Sequence, residues 1–499
     1  MNKATSTKRN YLYNVISELL TTLIPLITMP YVTRVLGRGG IGSYQYVQTI
    51  ASYFVLFANC GVKAYGNRCI AQAKDDPCAR NRVFSGIFYQ QVFLSFAVGI
   101  LYTVLALSYR DSLYRVLFAI FGINMVSAML EITWLYYGME QFRPVAFCTI
   151  GAKTAVAAGI FLLVREEGDL WIYALLCSLG VIAVQLYLWC GVHRFVKFVP
   201  VPMKEIKQHF LPCLALLLPM LAPTLFRSMD KLMLEGMTGA DAVGLYGAAE
   251  QLQTCMLGFI TGLGWVMLPR VSNLLAQGRD SEAQKYIGTS MQFSVFLGAA
   301  FAFGIAAVSD VFVPYYYGAS FSEASVLTLV LSPTIFMIAW ADVVRAQYII
   351  PHKRDRIFVV SVLAGAAVNL LVNAVCIPWF SSICEALSLT RDAAGALGAL
   401  PGTLAAEGSV IAVQYFYLKK ELPYRSYVRT CAIFPIAGGC MFAAVRLCGN
   451  LLSTLTAAAI SPLLLLLSEV LVGGMVYLLI VGFWYYKFRR DTLRLLLQK

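Results

Sequence analysis

The sequence predicts an all-α polytopic membrane protein of about fourteen transmembrane helices: two six-helix lobes related by a pseudo-two-fold axis, then two C-terminal helices. Three observations predict it. The 499-residue chain is 59% apolar and only 13% charged, where soluble chains carry about 25% charged residues. Apolar runs of about 20 residues, the length that crosses a hydrocarbon core of about 30 Å, recur from end to end. A segment of the first lobe also returns further along the chain. No stretch between these runs is long enough for an appended catalytic or nucleotide-binding domain.

Apolar runs and their Gly, Pro and charged boundaries place the spans near 11–36, 42–63, 83–107, 114–137, 145–164, 170–192, 208–229, 243–268, 287–309, 324–348, 357–380, 394–418, 427–446 and 455–486. The N-lobe is expected over 1–206, the C-lobe over 207–424, and spans 13 and 14 with a basic tail over 425–499. The duplication rests on one constant offset of 202 residues, which pairs Gly37 with Gly239, Ile41 with Val243, Gly42 with Gly244, Tyr44 with Tyr246, Phe57 with Phe259 and Arg68 with Arg270. The offset carries span 2 onto span 8, an even period that keeps both copies in the same orientation. Parallel repeats imply an axis along the membrane normal, a central cavity and alternating access by rocking.

Polar residues inside the spans fall into stripes. On span 1, Tyr11, Asn14, Glu18, Thr21 and Pro25 recur at three- to four-residue steps and share a face. Span 2 contributes Tyr44, Gln48, Ser52 and Asn59, and span 8 contributes Tyr246, Glu250, Gln253 and Thr254. Span 4, read as one continuous helix, contributes Asn124, Ser127, Glu131 and Trp134. A charge in mid-span costs about 2.5 to 3.5 kcal/mol even on gentle insertion scales, so Glu18, Glu131 and Glu250 are either cavity acids or satisfied helix contacts. Lys153 lies about nine residues into span 5, roughly 13 Å deep at 1.5 Å per residue, too deep to snorkel easily. It needs a counter-charge: a substrate anion, or a carboxylate such as Glu18 or Glu131. Arg34, Arg227 and Lys231, near the outer ends of spans 1 and 7, either line an exit mouth or anchor the outer rim. Pro25 and Pro30 in span 1, and Pro212, Pro219 and Pro223 in span 7, each remove a backbone hydrogen bond. They mark these two helices as gates or as fixed kinks.

Charge and cysteine narrow the class. The net charge of +13 gathers on alternate connections and both tails, which places both termini in the cytoplasm and makes the basic character a rim facing anionic lipid, not a nucleic-acid surface. Glu18 interrupts the first apolar run, so a cleavable signal is not expected. Thirteen scattered Cys with no CxxC pair read as small buried hydrophobes. His193, His209 and His352 form no metal-binding spacing. No cofactor is expected either, and without a GxxxxGK[ST] loop, or any Gly-Lys dipeptide, the chain cannot cradle nucleotide phosphates. Short exterior connections such as 310–323 argue against a membrane glycan polymerase or ligase, which leaves a non-enzymatic transporter.

The chain resembles the Wzx-type flippases of lipid-linked oligosaccharides, in the multidrug/oligosaccharidyl-lipid/polysaccharide exporter superfamily. The likeness covers spans 1 to 12. It rests on NYLYN (10–14), IPLITMPYVTRVLGRGGIGSYQYV (24–47), YGNR (65–68), WLYYGME (134–140) with Lys153, and Asp230 and Lys231 leading into VGLY (243–246). The later half adds QYIIP (347–351), Asn369, Asn373, Ile377, Pro378, Gly395, Ala396 and Glu407. Two features depart from the pattern: about a dozen extra residues at 381–392, and Asp342 with Arg345 in span 10. The resemblance implies undecaprenyl diphosphate-linked repeat units as substrate, moved from the inner to the outer leaflet of a bacterial cytoplasmic membrane for O-antigen, capsule or exopolysaccharide assembly. Membrane lipids and polysaccharide polymerase machinery are the implied partners. Lys153, Arg34, Arg227, Lys231, Asn14, Gln48, Asn59 and Asn124 are then substrate contacts, and Glu18, Glu131, Glu250 and Glu407 candidates for ion coupling. An organic-cation antiporter of the same superfamily is the rival reading; Lys153 weighs against it.

The charge pattern makes connections 65–82, 193–207, 269–286 and 349–356 cytoplasmic, and 165–169 and 310–323 exterior. Single cysteines in a Cys-free background should label accordingly, and exterior labelling at Lys204 with cytoplasmic labelling at Ser320 would reverse the topology.

Overall fold

The computed structural model describes residues 3–455 and 461–488, with the side chains of 3–22, 218–219, 263–266, 269, 453, 455 and 488 outside that description. Among the predicted site residues, the side chains of Asn14, Glu18 and Pro219 lie outside the described ones. Contacts divide the chain into two units, Met1–Leu232 and Met233–Lys499.

The first unit is built from α1 (Lys3–Asn59), α2 (Val62–Gln72), α3 (Pro77–Ser108), α4 (Ser112–Met129), α5 (Thr133–Gly138), α6 (Phe142–Leu163), α7 (Leu170–Gly191) and most of α8 (Met203–Met237). Local signals set several boundaries. The Asp76 side chain accepts from the amides of Cys78 (2.8 Å) and Ala79 (3.2 Å) ahead of Pro77, and Asp111 accepts from Leu113 (2.8 Å), the acceptor that a helix N-terminus needs for its orphan donors. Between α7 and α8 a 3-10 turn, Val192–Arg194, leads into an irregular connector. There the Lys197 amide donates to Asn81 Oδ1 (2.9 Å), the Val199 amide to Ser85 Oγ (3.0 Å), and Arg82 Nε to Glu205 Oε2 (2.7 Å), so α3 holds the connector in place.

The core of this unit joins two of the sequence motifs. Trp134, fully buried, packs with Phe84, Ile87, Ile70 and Leu188. A Cβ on Gly66 would come within 2.6 Å of Trp134, and one on Gly138 within 2.7 Å of Ile70. YGNR and WLYYGME are thus the two halves of one helix contact, in which each glycine makes room for the other motif.

The second unit is built from α9 (Ala240–Ala276), α10 (Asp280–Tyr317), α11 (Ala324–Leu331), α12 (Pro333–Val344), a π-helical turn Arg345–Ile349, α13 (Asp355–Ser382), α14 (Arg391–Leu418), α15 (Tyr424–Cys431), α16 (Ile433–Leu455) and α17 (Pro462–Phe488). Gly398 and Gly402 of α14 face Cys376, Ile377 and Asn373 of α13, and Asn373 Nδ2 donates to Asn369 Oδ1 at 3.2 Å. The paired asparagines therefore sit at a close helix crossing. Asp342 and Arg345 form an i,i+3 ion pair leading into the π-helical turn. The Arg345 guanidinium also lies 5.4 Å from the Phe358 ring of α13.

Among the described residues, ten helices are long and apolar enough to cross a membrane, or eleven with the bent pair Met203–Leu217 and Met220–Met237. Adding α9 and the two halves of α1, every expected span has a helix. Two details correct the sequence reading. Span 4 is not one continuous helix: α4 stops at Met129 and α5 starts at Thr133, so Glu131 lies in a link and not on a stripe with Asn124 and Ser127. The exterior connection expected at 310–323 is mostly helix, since α10 continues to Tyr317. Of the extra residues at 381–392, the stretch 383–390 links α13 to α14, and its Thr390 amide and hydroxyl donate to Glu323 at 2.8 and 2.9 Å.

The repeat extends to backbone geometry. Gly37 breaks α1 at φ 66°, ψ 178°, and Gly239 precedes α9 at φ 117°, ψ 179°. This region is essentially closed to side chains. Ile41 with Val243, and Tyr44 with Tyr246, are buried in both copies, while Phe57 with Phe259, and Arg68 with Arg270, are exposed in both. The break at Leu130 and the one at Ser332 stand at the same offset. Around Gly239 there is open space within 4 Å, and the nearest atom to a Cβ on Gly37 is Glu167 Oε1 at an ordinary 3.6 Å. Gly37→Ala and Gly239→Ala should therefore each cost about 1–3 kcal/mol through the backbone alone. Thermal unfolding in detergent should show similar losses, and an unchanged Tm in either variant would mean that the turn tolerates a side chain.

Candidate functional site

Within the first unit, a pocket of about 250 Å³ is lined by Ser52, Asn59, Gly61, Lys63 and Thr224, with Val55, Leu56 and Met220 as its apolar wall. It forms where α1 ends at Asn59 and the chain turns into α2. Cys60 (φ 41°) and Gly61 (φ 74°) turn the chain between α1 and α2. Any Cβ at Gly61 would lie 2.5 Å from the Cys213 carbonyl oxygen of α8, so glycine is required twice over, by φ and by space. The turn puts Asn59 and Lys63 on the rim of one cavity. Asn59 donates Nδ2 to the Val55 carbonyl at 3.1 Å, while its Oδ1 is shielded from solvent and has no hydrogen-bond partner.

Lys63 connects the pocket to a second, fully satisfied constellation. Its Nζ is 2.9 Å from Glu131 Oε2, with the lysine side chain 50% exposed and the glutamate 7%. Glu131 also accepts from Gln185 Nε2 at 3.1 Å and, through Oε1, from the Thr133 amide at 2.9 Å and the Thr133 hydroxyl. The surrounding link, where two half-helices leave orphan groups, is covered by other side chains. Gln91 Nε2 donates to the carbonyls of Ala128 and Glu131, both at 2.9 Å. Trp134 Nε1 donates to Glu131 O at 3.0 Å, Trp189 Nε1 to Leu130 O at 2.8 Å, and the Ile132 amide to Gln185 Oε1 at 3.2 Å. A carboxylate so fully bonded can stay ionised in a low-dielectric setting. It is paired with Lys63, half of whose side chain remains exposed at the pocket.

The other predicted residues are distributed. Lys153 is half-buried on α6, within electrostatic reach of Cys177 of α7. Cys177 in turn contacts Tyr44 and Tyr173, whose rings are 4.7 Å apart. Glu131 is therefore paired with Lys63, and Lys153 stands in a different, aromatic setting. Gln48 is exposed on α1 and donates to the Tyr44 hydroxyl at 3.2 Å. Asn124 is half-buried on α4, its Oδ1 without a hydrogen-bond partner. Arg34 is exposed and donates to the Pro30 carbonyl at 2.7 Å. Arg227 is exposed and Lys231 half-buried, both on α8. Pro25 and Pro30 lie inside α1, and Pro223 lies in the half of α8 after its 48° bend. In the second unit, Glu250 is half-buried on α9 and Glu407 buried on α14. No cluster of three or more metal-ligating side chains occurs among the described residues.

The model of a family described as polysaccharide biosynthesis protein matches residues 7–275, more than half of the chain. The chain belongs to that family. The pocket and the Glu131 knot both lie in the matched segment. Proteins named as O-antigen transporters in Escherichia coli (strain K12) and Shigella dysenteriae are 21% and 22% identical to the chain, over 77% and 73% of it and 93% and 91% of their own lengths. Among solved structures, the lipid II flippase MurJ in an inward closed conformation shares the fold with a TM-score of 0.71 at 12% identity, over 97% of this chain and 99% of that one. An inward-facing multidrug resistance MATE transporter aligns with a TM-score of 0.52 at 14% identity, over 80% of this chain and 99% of that one.

Sequence reasoning missed Lys63, Gln91, Gln185 and Glu469. Lys63 looks like the end of a span. The available signal was the Cys60-Gly61 pair three residues earlier, which has no counterpart in the continuous α9. Glu469, 4% exposed within the apolar run of α17, has one carboxylate oxygen without a hydrogen-bond partner.

The pair makes an opposed prediction. Lys63→Met leaves a buried carboxylate without its cation and should destabilise the protein by about 1–3 kcal/mol, whereas adding Glu131→Gln should recover part of that loss. Thermal melts of the two single variants and the double variant test this, and purely additive losses would show that the pair is not coupled.

Proposed function

We propose that the protein is a flippase that carries undecaprenyl diphosphate-linked oligosaccharide repeat units from the inner to the outer leaflet of a bacterial cytoplasmic membrane, by alternating access, for surface polysaccharide assembly. The observation that carries this reading is the ion pair of Lys63 with Glu131 at a pocket that Ser52, Asn59 and Thr224 also line, in the segment that the family model matches. Support comes from the O-antigen transporters, which the chain matches over nine-tenths of their length. A sugar diphosphate crossing hydrocarbon needs partners for each hydroxyl and phosphoryl oxygen, and amides, hydroxyls and ammonium groups supply them while the polyprenyl tail stays in lipid. With about two negative charges moving outward, a negative-inside potential favours export by about 2.3 kcal/mol per charge per 100 mV.

Lys153 is the proposed midplane anchor for the diphosphate, and Asn14, Gln48, Asn59 and Asn124 the sugar contacts. Arg34, Arg227 and Lys231 are assigned to the exit mouth. Glu18, Glu131, Glu250 and Glu407 remain the candidates for ion coupling, with Glu131 acting through Lys63. Pro25, Pro30, Pro219 and Pro223 are the proposed gating points, in lobes spanning 1–206 and 207–424. Both termini are placed in the cytoplasm. An organic-cation antiporter would present an anionic cavity, whereas the described acid Glu131 is already neutralised by Lys63.

Reconstituted protein should translocate a lipid-linked oligosaccharide in vesicles and show no efflux of an organic cation; the reverse result would establish the antiporter. Lys153→Met at normal membrane levels should lower translocation by more than about tenfold, the scale of a lost charge-assisted phosphate contact. Lys153→Arg should keep a fraction of it, and full transport by a stable Lys153→Met protein would remove Lys153 from the site.

A further inference from the structure

A second cavity lies in the other unit, at a connection that the charge pattern places in the cytoplasm. It measures about 590 Å³ and is formed where α14 turns into α15, with Lys419, Arg425 and Arg429 on its lining. All three cations are exposed, and none is in an ion pair among the described residues. Lys419 instead sits 5.1 Å from the Phe416 ring. Arg425 and Arg429 are one helical turn apart on α15 and so share a face, an arrangement of like charges that repels unless an anion lies between them.

The acid of the same turn is engaged elsewhere. Glu421 accepts from Arg354 Nη1 at 2.6 and 2.7 Å and from the Tyr348 hydroxyl. The donors from Arg354 and Tyr348 hold its carboxyl below the usual carboxylate range. It therefore remains a tied-down anion at cytoplasmic pH and does not neutralise the three cations.

The remaining walls are apolar. Leu422 and Tyr424 are buried beneath the cations, and Tyr415 and Val428 flank them at 49% and 57% exposure. Tyr415 packs on Tyr424 with ring centroids 5.2 Å apart. The Tyr424 hydroxyl is shielded from solvent and lacks a hydrogen-bond partner. Phe416 and Tyr417, also exposed, extend the aromatic surface at the end of this span, the usual level of an aromatic belt at the headgroups.

We propose that this cavity is a binding site for an anionic glycerophospholipid of the cytoplasmic leaflet, with the phosphodiester held by Lys419, Arg425 and Arg429 and the glycerol and upper acyl chain lying on Tyr415 and Val428. Free phosphate fits the cations but leaves the apolar half of the site unused, and a zwitterionic headgroup brings its own cation towards the arginines. The α15 N-terminus, which opens at Pro423 on the lining, adds a partial positive charge of the right sign.

Native mass spectrometry of the full-length protein, titrated with phosphatidylglycerol, tests the site through lipid binding, independently of transport. Each of Lys419→Gln, Arg425→Gln and Arg429→Gln should weaken the tightest phosphatidylglycerol by about fivefold, and the triple variant by about a hundredfold, at the strength expected for one basic residue near an anionic surface. Lys197→Gln/Lys204→Gln/Lys207→Gln, the same charge change on another basic connection, should leave it unchanged. Phosphatidylcholine should bind wild type no better than phosphatidylglycerol binds the triple variant, and excess inorganic phosphate should not displace the lipid. Unchanged affinity in the triple variant, or in all three single variants if the triple does not fold, would overturn the proposal. So would displacement by inorganic phosphate, which would mark a free-anion site.

Discussion

Backbone amides and carbonyls cannot be left unpaired in hydrocarbon, and this constraint organises the first unit more than any single apolar contact does. A helix satisfies it automatically and a broken helix does not. Wherever a span is interrupted, donors and acceptors must be brought from elsewhere. The link between α4 and α5 shows how many are needed: two glutamines, two tryptophans, a threonine and the carboxylate of Glu131, drawn from α3, α5 and α7 as well as from the link itself. Those side chains fix Glu131, and Glu131 fixes Lys63. The cation facing the pocket is thus a consequence of the way an interrupted helix is closed.

The same constraint explains what was legible in the sequence. Hydropathy locates continuous helices because such helices solve their own hydrogen bonding, and the spans accordingly appear where the apolar runs predict them. The duplication was legible because Gly37 and Gly239 meet a backbone requirement that no other residue meets well. The break at 130–132 was not legible. Its local sequence, Leu-Glu-Ile, has neither Gly nor Pro, and the groups that stabilise the interruption, Gln91, Gln185 and Trp189, lie 40 or more residues away in sequence. A stripe of polar residues at helical spacing assumes an unbroken helix, and it misplaced Glu131 for that reason.

Pairing by charge was the weaker part of the sequence reading. Glu131, like Glu18 or a substrate anion, was one of the counter-charges open to Lys153, but span membership fixes neither depth nor direction. Lys63, read as a boundary residue, makes the contact. The mid-span Asp342 and Arg345 satisfy each other one turn apart on their own helix, an arrangement their spacing allows and the apolar context favours. In both cases the nearest opposite charge in space, not the most deeply placed one in sequence, takes the partner.

The contact between Gly61 and Cys213 bears on how the chain is made. The turn that opens the pocket is closed by a helix emerging from the ribosome some 150 residues later, and α8 packs with the first unit as far as Leu232. Six spans inserted by the translocon would leave the Cys60-Gly61 turn without its covering helix. The folded first unit thus includes a seventh helix, and a nascent chain of 206 residues lacks the segment that covers this turn.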